Sequence, residues 1–397
     1  MSDVRFRPYT AKPAQPWADL AADRNRCPVA HNPELGAVQV TSYAGVKEVL
    51  RDHGSFSSTY SNLWPLDAPL PEYKQVLGAA DPPRHTRQRK LLVRAMSASK
   101  VAAMRPFSEK LADQLVDDII AAGTRFDLIN SYARRVSESH VAELLGIPDE
   151  DRESFSHMAK LMELSVEERE SHGFSAELDG IIARIADLVR RRRASGGTGD
   201  DLITQLCLAE VDGDQFDENE IAALIQLLAA AGISTTQQAI GNLVVALERH
   251  PGQRDAYLAD IDGLTEAVVD EGLRYDGPVM GLWRRCLASA EVQGTEVRAM
   301  DKTLVVVAAA NHDPEVFADP EEFRIDREDA AQHLTFGAGI HLCVGMNLAR
   351  QEVGTAVAAL YRRLPGLRLV KGADEQIPGP LVRSWRVIEM EYDPPAS

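Results

Sequence analysis

The stretch Phe336-Gly-Ala-Gly-Ile-His-Leu-Cys-Val-Gly345 decides how the rest of the chain is read. Its three glycines fall within nine residues. Such spacing indicates a backbone brought close to something flat, or turned into positive φ. Cys343 stands just before a predicted helix, Asn347 to Leu360. Backbone N–H groups at a helix start stabilise negative charge, so the placement predicts a lowered thiol pKa and a thiolate at Cys343. The same residues also fit a buried structural cysteine in a glycine-rich turn. A thiolate in a loop that admits a planar partner suits a heme iron.

The composition sets the frame around this loop. The chain has 397 residues, 45% of them apolar and 26% charged, which is ordinary for a globular protein with a large core. The formal net charge of -17 disfavours a nucleic-acid binder and would repel an anionic membrane. The four cysteines, Cys27, Cys207, Cys286 and Cys343, are far apart, so neither a zinc site nor a disulfide framework is read from them. They fit a reducing, cytoplasmic setting. Met1 to Trp17 is polar and proline-rich, unlike a signal peptide. Ile221 to Ile233, the most apolar stretch, is too short to span a bilayer.

The pattern along the chain is mainly α with a minor β region, in one domain over 1–397 with 1–35 as a looser N-terminal segment. Ala37 to Thr41 alternates like a strand, and Ser42 is placed to cap a following helix through Val46, Val49 and Leu50. Residues 56–80 read as an irregular loop. From Pro82 to Arg193 apolar residues recur at helical spacing. The longest helix begins near Asp217, where Asp217 and Glu220 have the spacing of a capping box. It continues to Arg249 ahead of Pro251, roughly 30 residues and about 45 Å. Its middle is apolar on nearly every face, which predicts a helix through the core. Val292 to Ala309 and Arg386 to Tyr392 read as strands.

The cysteine loop resembles the heme-binding signature of cytochromes P450, FGxGxHxCxG, and matches it at every fixed position. The resemblance extends from about Ala37 to Asp393 and implies the cytochrome P450 fold, with a long central helix over a heme b (iron protoporphyrin IX). It implies Cys343 as axial thiolate to the iron, Phe336 and Gly337 packed beside the heme with Gly345, and His341 at a propionate. Glu271-Gly-Leu-Arg274 is similar to the family's ExxR motif; with Arg327 of Phe323-Arg-Ile-Asp-Arg327 it implies a buried, structural Glu–Arg–Arg network. Asp81-Pro-Pro-Arg-His85-Thr-Arg-Gln-Arg89 resembles the start of the helix at the heme edge. His85 and Arg89 lie four apart, on one face, and are implied as propionate donors, with a basic solvated helix start as the alternative. Pro278-Val-Met-Gly-Leu-Trp-Arg284 implies the same for Arg284, with Arg285 as the rival if the register slips. Ala310-Asn-His-Asp-Pro314 resembles the family's ANRDP stretch with His312 in place of Arg.

Ala231-Gly-Ile-Ser-Thr-Thr236, midway along the long helix, is similar to the family's [AG]Gx[DE]T pattern. A glycine inside a helix costs about 1 kcal/mol relative to alanine, so Gly232 predicts a packing or ligand reason; Ala231 and Gly232 would present a low surface to heme and dioxygen. Thr235 falls on the residue whose hydroxyl helps hold dioxygen and the water that protonates it. Ser234 replaces the usual acid. A serine relays a proton through water but is not an acid at neutral pH. Two readings follow: Ser234 works with water, substrate or a side chain from elsewhere, or the chain uses hydrogen peroxide in place of dioxygen.

The resemblance implies a monooxygenase, an oxidoreductase that inserts one oxygen atom from O2 into a small apolar or aromatic substrate by hydroxylation or O-dealkylation. A peroxygenase and a heme-binding sensor without turnover are the alternatives. Trp64, Leu228, Met280, Leu282, Leu381 and Val382 are the candidate pocket residues, each of which also fits plain core; Arg383 leaves an acidic substrate open. Electrons would come from a ferredoxin and its NAD(P)H-dependent reductase. Arg87, Lys90, Arg94, Arg350, Arg362 and Arg363 are the candidates for a basic docking patch. No nucleic-acid or membrane partner is expected.

Overall fold

The computed structural model describes residues 4–7, 16–61, 66–163, 174–196, 199–211, 213–377 and 381–394. Ten helices frame the site: α1 (Trp17–Arg26), α2 (Tyr43–Arg51), α3 (Arg84–Ala95), α4 (Arg105–Ala122), α5 (Arg134–Leu145), α6 (Asp149–Glu163), α7 (Phe174–Ala194), α8 (Glu218–Arg249), α9 (Ile261–Tyr275) and α10 (Met346–Arg363). The strands that matter here are β1 (Val29–Asn32), β2 (Ala37–Val40), β3 (Phe56–Ser57), β4 (Arg125–Asp127), β5 (Leu282–Cys286), β6 (Lys302–Val305), β7 (Arg368–Ile377) and β8 (Ser384–Glu391).

The local signals act as their chemistry predicts. The Ser42 hydroxyl accepts from the Gly45 N–H at the start of α2. Asp217 and Glu220 form the reciprocal capping box of α8, a helix of 32 residues. This helix changes partners along its length. Ile221, Leu224, Ile225 and Ile233 belong to one apolar cluster with α5, α6 and α7. Ala239, Ile240, Leu243 and Val244 belong to another with α4, α9, α10 and Trp385 of β8. Between them Ala231 is exposed and Gly232, Ser234 and Thr235 are half-buried. A helix buried at both ends therefore opens at its middle turn.

A five-stranded sheet runs in the order β1-β2-β6-β5-β3. β2 and β6 are parallel and the other pairs antiparallel. A three-stranded sheet joins β7, β8 and β4. The strand expected through Val307 stops at Val305, and Val307–Ala310 forms a short helix. Strand β7 was not read from the sequence; its charged residues Lys371, Asp374 and Glu375 mask the alternation. The described part of 1–35 is tied down rather than loose. Val4, Phe6 and Leu20 are buried, and the Asp23 carboxylate accepts from the N–H of Arg5 and Phe6 and from Gln39 Nε2.

Candidate active site

The Cys343 loop leads directly into α10, starting at Met346. Gly337 and Gly339 have φ of 75° and 70°, a region open to glycine. A Cβ on Gly339 would also lie 2.7 Å from the Leu50 carbonyl oxygen of α2. The loop is closed by the Cys343 N–H donating to the Phe336 carbonyl at 2.9 Å. The Phe336 ring lies against the Arg350 guanidinium, 5.0 Å from its centroid, and against the His333 ring, 5.4 Å away between centroids.

Cys343 is solvent-accessible by area, yet its thiol is desolvated by the surrounding protein. Burial pushes the thiol above its ordinary value, against the pull of the Gly345 and Met346 N–H groups and of Arg89. The expectation of a lowered thiol pKa is therefore corrected for the protein alone. The helix-start amides do act in the expected direction, but desolvation outweighs them. A bound metal cation reverses that balance, because a coordinating thiol is deprotonated outright.

Four nitrogen-bearing side chains from three distant segments gather beside the loop. His85 and His341 meet edge to face with ring centroids 4.5 Å apart. The His341 Nε2 shares a 3.2 Å hydrogen bond with the Ser58 hydroxyl. The Nδ1 atoms of both histidines are buried without a hydrogen-bond partner. Arg284 is 4% exposed and donates to its neighbour's carbonyl, Trp283 O, at 2.7 Å. Arg89 donates to Leu342 O at 2.6 Å. Desolvation, then Arg284, His85, His53 and Arg89, push the His341 pKa down to about 2. Desolvation likewise lowers Arg284 to about 10, opposed by Asp81. Burial and Arg89 depress His85. Asp81 itself accepts from the Ser57 hydroxyl and the Ser58 N–H. Buried donors that depress one another, with unpaired ring nitrogens, suit an anionic ligand. An accessible cysteine in the adjoining loop suits a metal. These residues fit a heme with its two carboxylates.

Strand register decides between the two arginines. Arg284 pairs with Thr303 and Arg285 with Lys302, so their side chains leave opposite faces of β5. Arg284 joins the histidines. Arg285 donates to the carbonyls of Met300 and Leu66 and lies 5.0 Å over the Tyr60 ring. Ser58 and the part played by Asp81 were missed in the sequence: Ser58 falls in the stretch read as an irregular loop, and Asp81, although it opens the segment quoted for His85 and Arg89, finds its partners Ser57 and Ser58 more than twenty residues back in the chain.

The Glu271 carboxylate is buried and bidentate with Arg274, at 2.7 and 2.8 Å. Arg327 approaches it at 3.4 Å, and the Arg324 N–H donates to it at 2.8 Å. Arg274 and Arg327 also donate to carbonyls of the 311–322 segment. The network clamps the segment that precedes the cysteine loop. His312 stacks on Trp17 with ring centroids 4.2 Å apart.

On α8 the Thr235 hydroxyl donates to the Ala231 carbonyl at 2.5 Å. For Gly232 the structure supplies the packing reason, one of the two that a glycine inside a helix predicts. A Cβ there would lie 2.9 Å from Val141 Cγ2 of α5, so the close approach of α5 accounts for the glycine.

Among the pocket candidates, Trp64 lies outside the described residues. Met280 and Leu381 are core side chains, packed with Trp283 and Leu304, which corrects their assignment as lining. Val382 packs on the same cluster and bridges Val279. Leu228 and Leu282 are half-buried in other clusters. Arg383 is buried against Asp276 and lies 5.3 Å over the Trp17 ring, so the expectation that it invites an acidic substrate is corrected. The basic patch is corrected too. Arg87 pairs with Asp214 and Glu220, Arg350 with Asp270, Arg362 with Asp262, and Arg363 with Asp113 and Asp117. Lys90 is exposed, and the Arg94 side chain lies outside the described residues. Among the described residues no helix is long and apolar enough to cross a membrane.

Comparison with known proteins gives a consistent result. A family model described as Cytochrome P450 matches residues 122–365. Cytochrome P450 monooxygenase PikC of Streptomyces venezuelae is 34% identical, over 97% of this chain and 92% of that protein. Erythromycin C-12 hydroxylase of Saccharopolyspora erythraea is 32% identical, over 90% of this chain and 89% of that protein. The solved structure of cytochrome P450 CREJ, in complex with (4-ethylphenyl) dihydrogen phosphate, superposes with a TM-score of 0.89 at 26% identity, covering 99% of this chain and 100% of that one.

Proposed function

The chain belongs to the cytochrome P450 family, and on that premise we propose a heme b monooxygenase that hydroxylates or O-dealkylates a small, apolar or aromatic substrate with electrons from a ferredoxin and its NAD(P)H-dependent reductase. Family membership by itself makes the chain an oxidoreductase with a heme-iron cofactor, acting as a monooxygenase on a small organic substrate. The observation that carries the finer reading is the desolvated cluster of His85, Arg89, Arg284 and His341 beside an accessible Cys343.

Heme held there supplies the activation of dioxygen, with the balance RH + O2 + 2 electrons + 2 protons giving ROH and water. Cys343 would ligate the iron, while Arg89, Arg284 and the two histidines would hold the propionates. Phe336, gripped by Arg350, fixes the start of the loop. The Thr235 hydroxyl gives its hydrogen to Ala231 O, which leaves its oxygen lone pairs to accept from a water. Leu228 and Leu282 offer apolar contact, and the locking of Arg383 by Asp276 favours a substrate without an acid group. Ser234 in the place of an acid favours hydrogen peroxide as a second reading.

Spectroscopy and turnover test both readings. The dithionite-reduced protein under carbon monoxide should absorb as a thiolate-ligated heme, and Cys343→Ala should abolish that band. A histidine-like spectrum in the parent would overturn the assignment. A compound that shifts the heme from low to high spin should then yield product with ferredoxin and reductase. Product from peroxide, with none from the ferredoxin system, would replace the first reading with the second.

A further inference from the structure

A monooxygenase must bring protons to the Thr235 turn, and Ser234 cannot be their source. A cleft of about 240 Å³ opens between α5 and α6 and reaches α8 at this turn. Its polar residues are Glu138 and Ser139 of α5 and Arg152, Glu153 and Ser156 of α6; Val141, Ala142, Phe155 and Ile233 are its apolar ones. Ile233 immediately precedes Ser234. At about 100° per residue, Ile233 lies on the side of α8 opposite the face shared by Ala231 and Thr235. Ser234 falls on the flank between the two. A single helix, about 10 Å across, thus separates the cleft from the Thr235 face. A route from the cleft to that face cannot cross the helix and must pass round it, by the flank that carries Ser234.

We propose that this cleft is the proton entry of the enzyme and that Glu138 is the proton source, acting through water and Ser234. The Glu138 carboxylate is oriented by the Ser156 hydroxyl, which donates to it at 2.9 Å. Arg152 is engaged by Asp149 at 2.8 Å. Among the described residues no cation lies within ion-pair distance of Glu138. The step moves protons alone. Glu138 gives its proton to the first water, and Ser234 accepts one proton and passes its own towards Thr235. Solvent in the cleft then reprotonates Glu138. O–H bonds break and form in equal number, and no electron is transferred. The acid missing at position 234 is supplied from α5, one helix away.

The inference rests on the monooxygenase reading, and its test separates the two. The protein with heme is reduced with dithionite and mixed with air-saturated buffer in H2O or D2O. One electron leaves the protein with dioxygen and one proton, as the hydroperoxyl radical. General acid catalysis is worth about a hundredfold or more, so Glu138→Gln should slow the return to the oxidised spectrum at least about tenfold and change the solvent isotope effect. Glu138→Asp should retain most of the rate, and Ser234→Asp added to Glu138→Gln should restore it. All variants should keep the parent's heme content and carbon monoxide spectrum. Independently of this reaction, Ser156→Cys in the oxidised protein should react with a small charged thiol reagent that leaves the parent unlabelled. A rate within about twofold of the parent in Glu138→Gln, a loss that Ser234→Asp does not restore, or an unreactive Ser156→Cys would each overturn the proposal. A parent without the thiolate-type spectrum would instead overturn the function on which it rests.

Discussion

Glu352 lies in α10, nine residues beyond Cys343, and is 3% exposed. Burial holds its carboxyl well above the ordinary value of 4.5. The consequence for stability has a definite sign. Below the ordinary value both folded and unfolded chains carry the proton, and the group is neutral in its effect. As pH rises through that value the unfolded chain ionises first, which favours unfolding. Glu352→Gln should therefore gain thermal stability relative to the parent between about pH 4 and about pH 8, as read from Tm across that range. A gap that shrinks with rising pH would contradict the sign. At this scale the cysteine signature was fully legible, because its glycines and helix start are neighbours in the chain. The desolvation that raises the thiol in the protein alone was not legible, since it depends on atoms from elsewhere in the fold.

The central element is α8, and its middle turn is where two packing regimes meet. The capping box and apolar content were readable because both are local. The reason for Gly232 was not, since Val141 reaches it from α5. Gly232→Ala places a methyl 2.9 Å from Val141 Cγ2; such overpacking costs about 1–3 kcal/mol, offset by about 1 kcal/mol of helix preference, which leaves a net loss of up to about 2 kcal/mol. Denaturant titration should show that loss in the single variant and its partial recovery when Val141→Ala is added. Additive losses would mean that the two positions are not coupled. Strand β5 teaches the same lesson from alternation. The sequence leaves Arg284 and Arg285 as rivals, and the pairing of β5 with β6 sends them to opposite faces.

Over the whole molecule, the arginines expected to attract an acidic ferredoxin are mostly neutralised by carboxylates of their own chain. Among the described residues, what remains near the cysteine loop is the exposed Lys90 with two apolar side chains, Val93 and Leu342, 47% and 36% exposed. Val93 lies one turn beyond Arg89, which touches Leu342 O. Ferredoxin association should accordingly fall by less than about threefold between about 50 and 300 mM salt, where a bare cationic patch would lose far more. Calorimetric titration at both salts would decide, and a steep fall would restore the patch. By itself the sequence determined the family, the helical architecture, the cysteine and the arginine motifs, because each is a pattern of near neighbours governed by helix periodicity, capping and loop chemistry. The tertiary structure alone decided which arginine faces the histidines, which arginines are already paired, which apolar residues are core, and which carboxylates line the cleft at Ile233. Those depend on contacts between segments far apart in the chain, where burial and charge are set by the neighbours that folding supplies.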